Sequence, residues 1–176
     1  MNLSFETIQP EDFKQVDQLV TAAFTPAQAS AGTEGNLIHR LRTTYDYQPS
    51  LEVVAKPEIH EVVGHGLLSP VTIRGNRHTT TILGLASLAV APEWQGQAIG
   101  SQLLSELESR ARLAGFAAIS VVGDMNFFGG RGYVMAEDFS IHNSLAVPMG
   151  SHLIKPLTAG ALAHVGGMLE YPTSLK

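Results

Sequence analysis

The sequence has no cysteine among its 176 residues. That excludes disulfides, thiolate metal sites and a cysteine nucleophile, and leaves the redox compartment open. Charge is sparse: Asp, Glu, Lys and Arg make up 15% of the chain, and the net charge is −5. A basic surface for nucleic acid is not expected from that balance, whereas a mildly acidic one is compatible with amine substrates. No apolar run approaches the ~20 residues of a membrane-spanning helix. The opening Met1-Asn2-Leu3-Ser4-Phe5-Glu6 lacks a basic region and a long apolar core. A cytoplasmic protein with neither membrane nor nucleic-acid partners is therefore expected. Also missing are a Gly-Lys-Ser/Thr phosphate loop and a Gly-x-Ser-x-Gly elbow around Ser87. The seven histidines show no metal-ligand spacing. His60 and His65 would face opposite sides of a regular strand, so no metal site is expected and most histidines read as surface or loop residues.

What the chain does have is apolar content: 44% of its residues are hydrophobic. That is enough for one domain over residues 1–176 with a substantial core. Leu3–Ile8 reads as a first strand. Pro10, Glu11 and Asp12 suit the first turn of a helix whose apolar face is Phe13, Val16, Leu19, Val20, Ala23 and Phe24. Thr25–Gly32 reads as a loop, and a second helix begins near Thr33-Glu34 and carries Leu37, Ile38 and Leu41. Leu51–Ala55 is a strand. Ile59–Val71 reads as a longer one, whose Gly64 and Gly66 suggest a bulge or a close neighbour. A turn at Arg74–Arg77 makes a hairpin with Thr79–Val90. Ile141 and Leu153–Leu157 are weaker strand candidates, and Gly160–Tyr171 resists assignment.

The most informative stretch is Leu85–Gly115. An apolar run ends at Pro92, as a buried strand does. Gln95-Gly96-Gln97-Ala98-Ile99-Gly100-Ser101 is a small-residue turn where backbone can approach a ligand closely. Ile99, Leu103, Leu104, Leu107, Ala111 and Ala114 then recur at helical spacing. The first amides of a helix have no intrahelical acceptors, and the helix dipole makes that end partly positive. A phosphate or pyrophosphate can therefore dock between Gln95 and Ser101 without lysine or arginine. On spacing alone an ordinary strand-to-helix turn is the commoner account, since such turns abound in α/β proteins. Ala117–Val122 follows as a strand parallel to the one before the helix, completing a β-α-β unit.

This segment resembles the acyl-CoA motif of the GNAT superfamily of N-acetyltransferases, Gln/Arg-x-x-Gly-x-Gly/Ala, which falls here on Gln95, Ala98 and Gly100. Ala98 stands where the family usually has glycine. With the Glu34…Leu41-Arg42 helix, Val122-Gly123-Asp124 and Arg131-Gly132-Tyr133, the chain resembles the YhbS-like branch from about Glu34 to Tyr171. The resemblance implies a single α/β domain with a mixed, splayed sheet flanked by helices, and acetyl-CoA as cofactor. It implies that the backbone of Leu88, Ala89 and Val90 pairs with pantetheine and that the amides of Gly96, Gln97, Ala98, Ile99, Gly100 and Ser101 hold the pyrophosphate. It places Asp124, Phe127 and Arg131 in the second cofactor segment. The implied reaction is direct attack of a primary amine, from a small molecule or a peptide, on the thioester. Glu34 is the candidate base, the Leu88 amide contacts the oxyanion, and a homodimer is a family expectation. Phe128 stands where many members place a tyrosine acid. That departure motivates a rival expectation, an acyl-CoA-binding sensor without turnover.

Overall fold

Proline and acid at the head of the first helix act as the sequence predicts. Pro10–Asp12 makes a 3-10 turn, and the Asp12 carboxylate accepts from the Gln9 amide at 3.0 Å. The computed structural model describes residues 2–23, 33–58 and 60–175, with residues 33–36 described by backbone alone. Phe24, Ile59 and the Thr25–Gly32 loop lie outside the described residues. The chain packs as two compact units, residues 1–69 with 86–110, and residues 70–85 with 111–176.

The first unit contains β1 (Ser4–Thr7), α1 (Phe13–Ala23), α2 (Thr33–Arg42) and β2 (Glu52–Lys56). It also takes the start of β3 (Gly64–Arg74), the end of β4 (Thr79–Val90) and most of α3 (Ile99–Leu113). β1 pairs antiparallel with β2, and β2 with β3, in the register Glu52↔Leu67 and Val54↔His65. The apolar periodicity of each helix is realised: Val16, Leu19 and Val20 are buried on α1, Ile38 and Leu41 on α2, and Leu103, Leu104 and Leu107 on α3.

The glycines of β3 mark a close neighbour. A Cβ on Gly66 would lie 2.6 Å from Leu107 Cδ1, and one on Gly64 would lie 2.9 Å from Leu103 Cδ1. Real side chains do not tolerate such distances, so the two glycines let α3 settle directly onto the strand. The strand itself begins at Gly64, later than the sequence pattern suggests.

In the second unit β4 runs parallel to β5 (Ala118–Val122) through Leu83↔Ile119 and Gly84↔Ser120. α4 (Met125–Phe128) and β6 (Val134–Met135) follow, then β7 (Ile141–Asn143), β8 (His152–Pro156) and β9 (Gly167–Glu170). β8 joins β5 and β6 antiparallel. The unassigned glycine-rich stretch holds β9, which pairs antiparallel with the far end of β3 and parallel with β7. Val71, Ile73, Ile82, Ala118, Ile141, Ile154 and Leu169 form this unit's core. The architecture is a mixed sheet of parallel and antiparallel strands with flanking helices. Among the described residues no helix is long and apolar enough to cross a membrane.

Ala114 departs from its expected place on the apolar face and is exposed. The Phe116 amide donates to Ala111 O and the Gly115 amide to Arg112 O, with Gly115 at φ 86°. This paired capping pattern ends α3 at Leu113, one residue before the sequence period does.

Candidate active site

The turn between β4 and α3 is built from a proline stop, a side-chain clasp and two left-handed residues. Pro92–Trp94 makes a 3-10 turn in which the Trp94 amide donates to Ala91 O at 2.8 Å. Gln95 Nε2 then donates to Val90 O at 3.0 Å, closing the end of β4. Gly96 takes φ 76° and Ala98 φ 61°. Ala98 O accepts from the Gln102 amide at 3.1 Å, so α3 starts immediately after it. Buried Ile99 anchors the first turn. Gln95, Gly96, Gln97 and Ala98 are all exposed, and a Cβ at Gly96 would meet nothing within 4 Å. The first amides of α3 thus follow an exposed turn with the dipole's positive end behind it, which suits a pyrophosphate. Gly100 and Ser101 continue that turn, half-buried.

On the strand side, the Ala91 amide donates to Val63 O at 2.9 Å. Backbone groups alternate in direction along an antiparallel strand, so those of Leu88 and Val90 face the edge away from β3. That orientation is the one an added, pantetheine-like strand requires. One acceptor there is already taken, since Val90 O holds the Gln95 side chain.

Asp124, Phe127 and Arg131 belong to the second unit. Asp124 caps α4, its carboxylate accepting from the Asn126 amide at 2.9 Å. The Arg131 guanidinium lies 3.9 Å above the Phe127 ring centroid and donates to Phe127 O. Phe128 is buried, edge-on to Phe127 at 4.8 Å and to Tyr133 at 5.3 Å. Phe128 is therefore an aromatic core residue of this unit. Tyr133 is buried as well. Glu34 falls in the first turn of α2, and its side chain lies outside the described residues. Among the described residues no group of three or more His, Asp or Glu is placed to hold a metal.

Sequence reasoning missed a buried polar cluster in the first unit. Glu52 is fully buried and receives Arg42 Nη2 at 2.6 Å, the Tyr47 hydroxyl at 2.6 Å and His65 Nε2 at 2.8 Å. The other ring nitrogen of His65, Nδ1, is 2.9 Å from Ser87 Oγ. Arg42 also stacks 4.0 Å over the Phe13 ring. Burial pushes the Glu52 carboxyl up, but the hydrogen bonds from His65 and Arg42, the positive charge of His65 and the Tyr47 hydroxyl outweigh it, leaving the group at about 2. Burial and the bond to Glu52 push the Tyr47 phenol up. His65 is thus a core residue and not a surface one, and His152, bonded to Ser120 Oγ at 2.9 Å, is another. Burial pushes His152 down, against the pull of Glu137. The available signal was Glu52 itself, an acid in the otherwise apolar run Leu51–Ala55.

Comparison with known proteins adds a family, a relative and two solved structures. The profile of the acetyltransferase (GNAT) family matches residues 14–129. A protein of Escherichia coli K12 named uncharacterized N-acetyltransferase YhbS is 27% identical over 162 residues, 92% of each chain. The crystal structure of Escherichia coli YhbS in complex with CoA superposes with a TM-score of 0.88 at 25% identity, covering 99% of this chain and 92% of that one. A Brucella melitensis acetyltransferase solved with acetyl-CoA has a TM-score of 0.78 at 24% identity, with 99% of both chains covered, a likeness of fold.

Proposed function

The chain belongs to the acetyltransferase (GNAT) family, and from that premise we propose that it transfers an acetyl group from acetyl-CoA to a primary amine by direct attack. The observation that carries the proposal is the turn itself: two left-handed residues, Gly96 and Ala98, set bare backbone at the start of a long helix. We take residues 1–176 as one functional domain, because β3 and β4 each contribute residues to both packing units.

Acetyl-CoA is the cofactor and supplies the acetyl group as an activated thioester. The amides of Gly96 to Ser101 bind its pyrophosphate, and the backbone edge of Leu88, Ala89 and Val90 binds its pantetheine amides. Asp124, Phe127 and Arg131 form the second binding segment, Asp124 by shaping α4 and Arg131 by bracing Phe127. Attack requires a neutral amine, so a base must take the ammonium proton. Glu34 is assigned that role. The Leu88 amide is assigned the donor to the oxyanion, since a preset donor stabilises charge where it develops. Thiolate departure needs little help, because a thiol with a pKa near 8.5 is a fair leaving group.

A second reading has a specific observation behind it. Phe128 carries no proton at the position of the family's acid and is packed as core. On that reading the protein binds acyl-CoA as a sensor without turnover.

Thermal unfolding with and without acetyl-CoA, with ATP and NAD as controls, tests the shared premise. A ligand at about 100 times its dissociation constant adds roughly 2.7 kcal/mol and moves the midpoint by several degrees. No shift in cofactor-free protein would overturn both readings. Thiol release with an amine panel then separates them. Turnover that is lost in Glu34→Gln supports the enzyme and its base, whereas tight binding without turnover supports the sensor.

A further inference from the structure

The buried cluster of Arg42, Tyr47, Glu52, His65 and Ser87 is a continuous chain of hydrogen bonds. Ionised Glu52 can only accept, so it takes hydrogens from Arg42 Nη2, the Tyr47 hydroxyl and His65 Nε2. The other ring nitrogen, Nδ1, lies 2.9 Å from Ser87 Oγ, so the imidazole bridges Glu52 and Ser87. Among the described residues no buried side-chain polar atom lacks a partner, so the chain is complete.

Its two ends are informative. It starts at Arg42, the last residue of α2, and finishes at Ser87, one residue before Leu88 on β4. β2 and β3 supply the links between, Glu52 and His65. The helix at one end carries Glu34, and the strand at the other carries the Leu88 amide. Burying charge in this way costs desolvation that an apolar cluster of the same volume avoids. Complete polar networks instead hold their members in one geometry.

We propose that Glu52 and His65 are positioning residues for acetyl transfer, fixing Ser87, and with it the β4 backbone at Leu88, against the C-terminal end of α2. The inference rests on the acetyltransferase reading given above. Neither residue touches a reacting group. They act through the Ser87–Leu88 peptide on one side and through Arg42 on the other.

The test uses Ser87→Ala, His65→Gln and Ser87→Thr, each checked for folding. Alanine removes one hydroxyl, glutamine moves the donor and acceptor off the positions of the two ring nitrogens, and threonine keeps the hydroxyl. Kinetics, acetyl-CoA calorimetry and the NMR signal of the Leu88 amide in the free protein are read for each. Small misplacements of reacting groups cost about 10²-fold. We therefore expect kcat to fall roughly tenfold to 100-fold in Ser87→Ala and His65→Gln, with acetyl-CoA affinity within about threefold of the parent. Threonine restores kcat. The Leu88 amide moves in the first two variants and not in the third. Unchanged kcat in folded variants overturns the proposal, and so does a loss confined to cofactor affinity. If the parent protein itself shows no turnover, the acetyltransferase reading fails, and the Leu88 signal alone decides: displaced supports positioning, unmoved refutes it.

Discussion

His65 and Glu52 stand on a diagonal of the β2–β3 ladder, His65 opposite Val54 and Glu52 opposite Leu67, and their side chains close that diagonal at 2.8 Å. Same-face diagonal neighbours lie within reach of long side chains. Here the pair is fully buried, so a cross-strand contact that contributes little on a surface becomes a fixed ionic centre. Arg42 completes it from α2 at 2.6 Å, with both side chains nearly inaccessible.

Removing the carboxylate charge should therefore be costly, and more so at neutral pH than in acid. Glu52→Gln leaves Arg42 buried without its counter-charge, a change that costs about 3–5 kcal/mol. The folded Glu52 carboxyl sits at about 2 against an ordinary 4.5. A carboxyl depressed by folding contributes its stability above the unfolded value and loses it as pH falls through the folded one. The parent should thus lose this contribution between about pH 4.5 and pH 2, and the variant should lack that part of its pH dependence. Urea unfolding at pH 7 and near pH 3.5 measures the difference, and parallel curves for the two proteins would refute it.

Much of the fold was legible because burial and period agree. Leu103, Leu104 and Leu107 repeat helically and are buried, and the hairpin from β3 to β4 turns where Arg74–Arg77 predicts. The turn at Gln95–Ser101 was legible because only small residues leave a helix start bare. The cluster around Glu52 was not. Its members are spread over residues 42, 47, 52, 65 and 87, and no local spacing links residues that meet only through strand register. β9 escaped for a related reason, since its pairing to β3 joins Gly167–Glu170 to Thr72–Arg74, far apart in the chain.

Ala98 is strained in a way the family's usual glycine would relieve. Its φ of 61° lies in the left-handed region, where a Cβ costs roughly 1–2 kcal/mol. Glycine gives back part of that gain through its freer unfolded chain. Ala98→Gly should still stabilise the protein by about 1 kcal/mol, a rise in midpoint of roughly 2–4 °C. Acetyl-CoA affinity should rise with it, as a methyl group is removed from the turn. Calorimetry on the free and ligated variant checks both, and a lower midpoint would contradict the strain argument.

Gly100→Asp separates fold from ligand. Gly100 is the second residue of α3, where an acid stabilises the helix dipole by about 0.3–1 kcal/mol. The unfolding midpoint should hold or rise slightly. The same charge repels a pyrophosphate at that helix start, so acetyl-CoA should bind at least about tenfold more weakly, ~1.4 kcal/mol. Added salt should narrow the gap by screening. Unchanged affinity would remove the phosphate from this turn.

Phe128→Tyr asks whether the transfer lacks an acid. The ring is packed against Phe127 and Tyr133, with the site of a Gly123 Cβ only 2.4 Å from its Cε2. A hydroxyl added there enters a core, and left without a partner it costs about 1–3 kcal/mol. The midpoint should fall accordingly. Turnover should hardly change, because a thiol of pKa near the ~8.5 of cysteine leaves fairly easily as thiolate. An acid that limited the reaction would instead raise kcat by about 10²-fold when restored. The two outcomes also bear on the rival reading. If the parent binds acetyl-CoA without turnover and the tyrosine variant acquires it, Phe128 is the change that made a sensor from an enzyme. If both turn over alike, the aromatic core at residue 128 serves packing alone, and base and oxyanion donor suffice for the chemistry.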